Sequence, residues 1–202
     1  MTEIEQALAQ ALLVPPDASR EAAGRLAARA YEEGLLDVAY AVEDSPVGPL
    51  LVAATKRGLV ELGYDADKDL DTLVERLAAR LSPRVLEAPA RLDPVRRELD
   101  EYFEGRRTDF DLPIDWSLSK GFTRRVLRAT AKVPYGQVST YRHVAGKAGN
   151  ERAVRAAGNA LGANPIPIVV PCHRILRTGG ALGGYGGGTQ RKEFLLKLEG
   201  AL

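Results

Sequence analysis

Cys172 is the single cysteine of a 202-residue chain, and His173 follows it directly. A thiol attacks as its thiolate, and an adjacent base or positive field brings that ionisation within reach, so the pair could act as nucleophile and base. The same dipeptide also fits an inert core thiol, because neighbours in sequence need not touch in space. Other groups with chemical potential are scattered. Asn164 precedes Pro165 as a turn residue would, Tyr141 has the position of a core aromatic at a helix start, and Glu199 that of a solvated charge at a helix end. Tyr185 sits in the run Gly183-Gly184-Tyr185-Gly186-Gly187-Gly188, but no Lys-Ser/Thr follows at the spacing of a phosphate loop. One cysteine and two histidines cannot build an ordinary four-ligand zinc site without carboxylates, so no metal is expected.

The elements around these residues suggest how they would be held. Residues 166–170, Ile-Pro-Ile-Val-Val, read as an apolar strand-like run that ends at Pro171 and delivers Cys172. Upstream, a helix is expected over 121–131, a second from a Ser139 or Thr140 cap to about Lys147, and a third over 151–162 after the turn Ala148-Gly149-Asn150. The last two have the outline of a helix-turn-helix. The third helix carries Ala153, Ala156, Ala157, Gly158 and Ala160, with Arg155 the only long side chain at its centre. Small residues allow close approach to another surface: a nucleic-acid groove probed by Arg155, or a packed helix interface with Arg155 at its rim.

Charge divides the chain. Residues 1–119 hold 14 Lys+Arg against 24 Asp+Glu, whereas residues 120–202 hold 14 against only Glu151, Glu193 and Glu199. The basic part either faces a polyanion, with nucleic acid foremost, or neutralises the acidic part across an interface.

Residues 1–34 show helical spacing over 4–13 and 22–31, the second capped by Asp17 or Ser19. From Asp37 short β-like runs follow at 38–42, 50–54 and 59–64, an antiparallel meander. Helical periodicity over 69–81, an edge strand at 85–87, a helix over 94–103 and a return to the sheet at 110–113 complete a small α/β domain over 37–115, with a second domain over 119–202. The fold class is therefore α+β. With 45% hydrophobic and 27% charged residues the chain should fold. Its acidic start, Met1-Thr2-Glu3-Ile4-Glu5, is unlike a secretory signal, and no apolar run nears the roughly 20 residues that span a bilayer. A cytoplasmic monomer is expected.

Three segments together carry a resemblance: Val133-Pro134-Tyr135-Gly136-Gln137-Val138-Ser139-Thr140-Tyr141, Arg152 to Ala160, and Asn164 to Arg174 with its Pro171-Cys172-His173-Arg174 core. They resemble the O6-alkylguanine-DNA alkyltransferases, and the glycine-rich loop and Leu198-Glu199-Gly200 extend the likeness across about 119–200. The resemblance implies a ribonuclease H-like N-terminal domain and a suicide repair protein without cofactor, acting on O6-alkylguanine in double-stranded DNA. Cys172 would accept the alkyl group, His173 would take the thiol proton through a water, Glu199 would orient the imidazole, and Asn164 would stiffen the cysteine turn. Tyr141 would donate to the leaving guanine, while Tyr185 and Gly186 would line its pocket. Arg155 would fill the gap left by a flipped base, and Ala153, Ala156 and Gly158 would let the helix enter the minor groove.

Three other readings compete. A non-enzymatic damage-binding relative would lack the acceptor cysteine, a thiol hydrolase would turn over, and a regulator fused to an acceptor domain would need a further basic surface.

Overall fold

The computed structural model describes residues 16–64 and 66–202, and the backbone alone of 16–21 and 66–68. The expected helix over 4–13 lies outside the described residues. Helix α1 (Pro16–Glu32) begins before both Asp17 and Ser19, so neither caps it as expected. It lays Ala27 and Ala30 against Leu36, Ala39 and Ala88, and the Arg91 guanidinium stacks 3.4 Å above the Tyr31 ring. The extension is thereby packed on the sheet's edge.

Strands β1 (Val38–Glu43), β2 (Leu50–Thr55) and β3 (Gly58–Tyr64) form the expected antiparallel meander. Beyond helix α2 (Ala66–Arg80), β4 (Val85–Glu87) returns to pair parallel with β1, so the sheet is mixed, with order β3-β2-β1-β4. Residues 110–113 form no strand. A single bridge joins Ile114 to Leu59, because the chain crosses so close that a Cβ on Gly58 would lie 2.1 Å from the Pro113 carbonyl oxygen.

Alternation along the strands divides the core. Leu51, Ala53 and Val60 face Leu73 and Leu77 of α2. Leu50, Val52, Leu59 and Leu62 face the other way, into one continuous core that includes α3 (Asp93–Phe103) and reaches Cys172. Asp115 fastens the crossing between the halves, accepting from Thr55 Oγ1 at 2.6 Å, Arg57 Nε at 3.1 Å and Ser117 N at 2.9 Å.

The second half is mainly helical: α4 (Gly121–Thr130), α5 (Tyr141–Lys147), α6 (Val154–Gly162) and α7 (Thr189–Leu198). Thr140 caps α5 by accepting from His143 N at 3.2 Å. Helix α6 starts three residues later than expected, because Asn150 Oδ1 accepts from Arg152 N at 3.1 Å and this side-chain turn replaces a first helical turn. Two short strands, β5 (Ser139–Thr140) and β6 (Ile175–Leu176), pair in parallel. That ladder fixes Tyr141, at the start of α5, beside the chain leaving Cys172.

Candidate active site and nucleic-acid interface

The run before the nucleophile is not a strand. Pro165, Pro167 and Pro171 each remove a donor that a ladder would need, and Ile168, fully buried, adopts φ 73°. A β-branched residue in that region stores strain of about 1–3 kcal/mol, which the surroundings must overrule. Asn164 does so from both ends of its amide: Oδ1 accepts from Ile166 N at 3.1 Å, and Nδ2 donates to the Val170 carbonyl at 2.8 Å and to Cys172 Sγ at 3.1 Å. Asn164 thus bonds the backbone on both sides of the run and the sulfur itself. Cys172 then opens a single 3-10 turn, Cys172–Arg174, and is buried.

His173 and Glu199 meet. His173 Nε2 lies 2.8 Å from Glu199 Oε1, both side chains fully buried, while Nδ1 has no hydrogen-bond partner. The carboxylate is shared more widely than a simple His–Glu relay would have it. Arg174 binds it through two nitrogens, Nε to Oε2 at 2.8 Å and Nη2 to Oε1 at 2.9 Å, and the Tyr102 hydroxyl of α3 donates to Oε1 at 2.7 Å. Arg174 also donates to the Val133 carbonyl at 2.6 Å. Burial would raise the Glu199 carboxyl, but the bonds from His173, Arg174 and Tyr102 bring it down to about 2. Burial lowers His173 against the pull of Glu199, leaving the imidazole neutral and able to accept a proton.

The thiol departs from expectation. A histidine neighbour suggests a depressed pKa, yet burial pushes Cys172 up to about 11, with the Asn164 amide and the Lys192 charge acting against it. Burial thus favours the neutral thiol over the thiolate in the resting site.

Above the sulfur lies a cavity of about 810 Å³ walled by Tyr141, Arg155, Gly158, Tyr185 and Gly186. Tyr141 approaches the Gly184 carbonyl at 3.5 Å and covers Gly158, where an added Cβ would lie 3.8 Å from its ring. Arg155 and Ala156 stand exposed on α6, Gly158 and the preceding Ala153 are half-buried, and Arg155 has no ion pair among the described residues. The other face of α6, Ala157 and Ala160, is buried. Every residue expected at the site except the α6 face residues Ala153 and Ala156 therefore either lines this cavity or is bonded to the cysteine turn.

Residues 38–116 match the ribonuclease-like domain of 6-O-methylguanine DNA methyltransferase, and residues 121–201 match its DNA binding domain. A methylated-DNA–protein-cysteine methyltransferase of Methanosarcina barkeri is 37% identical over 160 residues, which cover 79% of this chain and 96% of that one. The inducible Bacillus subtilis enzyme is 38% identical over 73% of this chain and 82% of its own. The chain belongs to the 6-O-methylguanine DNA methyltransferase family. In three dimensions the Mycobacterium tuberculosis O6-methylguanine methyltransferase superposes with a TM-score of 0.70 at 36% identity, covering 81% of this chain and 93% of that one. An OGT of the same organism, solved in complex with DNA, superposes with a TM-score of 0.69.

Four residues of this methyltransferase site were invisible as site residues in the sequence. Arg174 stood inside the quoted motif without a role. Lys192, fully buried, donates to the Ile175 carbonyl at 2.6 Å and also to that of Leu182. Tyr102 and Tyr64 come from the ribonuclease-like half, and Tyr64 bonds Tyr185 hydroxyl to hydroxyl at 2.6 Å. Contacts separated by 97 and 121 residues leave no local pattern to read.

Proposed function

We propose that this chain repairs O6-alkylguanine in duplex DNA by moving the alkyl group irreversibly to Cys172, one lesion per molecule. One observation carries the reading: the chain's single thiol forms the floor of a cavity large enough for a base, with a hydroxyl, an arginine and a small-residue helix at its mouth. Sulfur attacks the alkyl carbon in line, the S–C bond forms as the C–O bond breaks, and guanine leaves with the bonding pair. His173, neutral and with Nδ1 unpartnered, receives the thiol proton through a water, and Glu199 stabilises the resulting imidazolium. The Tyr141 hydroxyl donates a hydrogen bond to the departing ring and passes it its proton, which solvent then restores to the tyrosine. Tyr185 and Gly186 hold the base.

Reaching a buried base requires flipping it from the stack, a loss of a few kcal/mol that Arg155 offsets by entering the gap while Ala153, Ala156 and Gly158 let α6 lie in the minor groove. In this reading residues 37–115 and 119–202 are the two working domains and 1–34 an appended one, and the protein acts as a cytoplasmic monomer without a cofactor. A thioether is a poor leaving group and no second thiol exists, so turnover ends at one. Mass measurement after incubation with duplex DNA carrying O6-methylguanine should show one methyl, on the peptide holding Cys172. Sustained release of repaired DNA beyond protein stoichiometry would refute it.

A further inference from the structure

Among the described residues Lys192 is the one fully buried lysine, and it sits in the first turns of α7, near the positive end of the helix dipole. A buried ammonium is ordinarily paired with a carboxylate. Among the described residues Lys192 has no such partner; it meets only the carbonyls of Ile175 and Leu182. Those two carbonyls flank the site from different segments. Ile175 directly follows the Cys172–Arg174 turn, and Leu182 belongs to the loop that continues into Tyr185.

The groups that bear electrostatically on the thiol are Tyr64 from β3, Tyr141 from α5, Tyr185 from the glycine-rich loop and Lys192 from α7, while His173 and its Glu199–Arg174 partners belong to the cysteine turn and lie behind it. The three tyrosines are held neutral by burial, and Arg174 is engaged by Glu199. Arg155 and Arg177 line the open side of the cavity, where solvent screens them. Lys192 is the buried cation left to answer a charge on sulfur.

We propose that Lys192 is a positioning residue for alkyl transfer: its ammonium ties the chain after the cysteine turn to the loop bearing Tyr185, and its charge favours the Cys172 thiolate as it forms. The inference rests on Cys172 being the alkyl acceptor, but the effect on its thiolate is measurable without DNA. Burial lowers the amine itself to about 8, so it is mostly charged at neutral pH and loses that charge just above.

The test is the rate at which iodoacetamide alkylates Cys172 in the full chain across pH, followed by mass, for the parent, Lys192→Met and Lys192→Arg. Folded Lys192→Met should show a profile displaced upward by about one pH unit and a rate at pH 7 about tenfold lower, with single-turnover methyl transfer falling in parallel. Lys192→Arg should stay near the parent at pH 7. A merely structural lysine would lower the melting temperature and leave the profile in place, and that result in folded Lys192→Met overturns the proposal. Should Lys192→Met not fold, the parent and Lys192→Arg still decide. Above pH 8 the parent's rate should rise less than tenfold per unit as its amine discharges, while the arginine variant keeps rising tenfold; superimposable slopes overturn the proposal. Failure of methyl transfer from DNA in the parent would refute the repair reading and leave these profiles standing.

Discussion

The two halves meet at the site from opposite sides and differ in what they bring. Residues 119–202 hold the groups that would meet the alkylated base, Cys172, Tyr141, Tyr185 and Gly186, and Arg155, which would fill the gap it leaves. Residues 37–115 bring two hydroxyls from behind, Tyr102 on Glu199 and Tyr64 on Tyr185. The difference teaches that the helical half does not supply every hydrogen bond at the site. Its carboxylate and its pocket tyrosine each take one further hydrogen bond from a group reached through the common core. Substitutions that remove chemistry should therefore act in the helical half, while substitutions that loosen geometry should act in the sheet half, with effects graded accordingly.

The largest effect belongs to Cys172→Ser. A serine hydroxyl is far less acidic than a thiol, and a neutral His173 cannot ionise it adequately, so methyl transfer should be undetectable while binding to lesion-bearing duplex is retained. Gel-shift affinity and single-turnover repair measured side by side would check this. Residual transfer would mean that another group accepts the alkyl.

Next comes Arg155→Ala. With a few kcal/mol at stake in unstacking and about 1.4 kcal/mol per decade of rate, repair in duplex DNA should fall on the order of 100-fold. Reaction with free O6-benzylguanine, which needs no flipping, should change by less than about threefold. Equal losses on both substrates would assign Arg155 to the fold or the chemistry and weaken the division between probing helix and acceptor.

Tyr102→Phe tests the sheet half's hold on Glu199. A hydrogen bond to a charged group contributes about 1.5–3 kcal/mol, so the variant should lose stability of that order and repair should slow on both substrates. The pH dependence is the sharper readout. Glu199 is depressed to about 2 from an ordinary 4.5, so its stabilisation is complete above 4.5 and is lost as pH falls toward 2. His173 is depressed too, so the folded state disfavours its protonation, and stability begins to erode as pH falls below its ordinary 6.5. Both run the same way: the parent's melting temperature should fall on the acid side, and Tyr102→Phe should bring the carboxylate part of that fall to higher pH.

How much could be read beforehand follows the same boundary. In the helical half, local patterns singled out Cys172 with His173 as a candidate pair and drew attention to the small-residue face of α6, because spacing within one helix or turn already sets who neighbours whom, while Asn164 read only as a turn residue. The approach of Glu199 to His173, 26 residues apart, came only from the family resemblance. The apolar run 166–170 misled, since β-branched composition suggests a strand while its prolines and the positive φ of Ile168 forbid one. In the sheet half the meander was legible from alternation, but the parallel return of β4 and the crossing at Ile114 depend on tertiary packing. So do Tyr64 and Tyr102, which read only as ordinary aromatics.

The smallest effect, and the most direct check on the comparison, is Tyr64→Phe. The lost contact is one hydrogen bond between neutral hydroxyls, about 1 kcal/mol and so roughly fivefold in rate if all of it bears on holding Tyr185. The ring itself should stay in place: the Arg191 guanidinium lies 4.8 Å from its centroid, and phenylalanine preserves that face. Because the pocket and not the duplex is affected, free O6-benzylguanine and duplex DNA should slow alike, the opposite of the Arg155→Ala pattern. Gly187→Ala supplies an independent push on the same contact, since a Cβ there would lie 2.5 Å from the Tyr64 ring and one of the two must move. If the sheet half positions the pocket through Tyr64, both variants should slow both substrates, with the alanine variant slower than the phenylalanine one. If Tyr64→Phe matches the parent on both substrates while Gly187→Ala does not, the loop's own packing holds Tyr185, and the sheet half supports the site through Tyr102 alone.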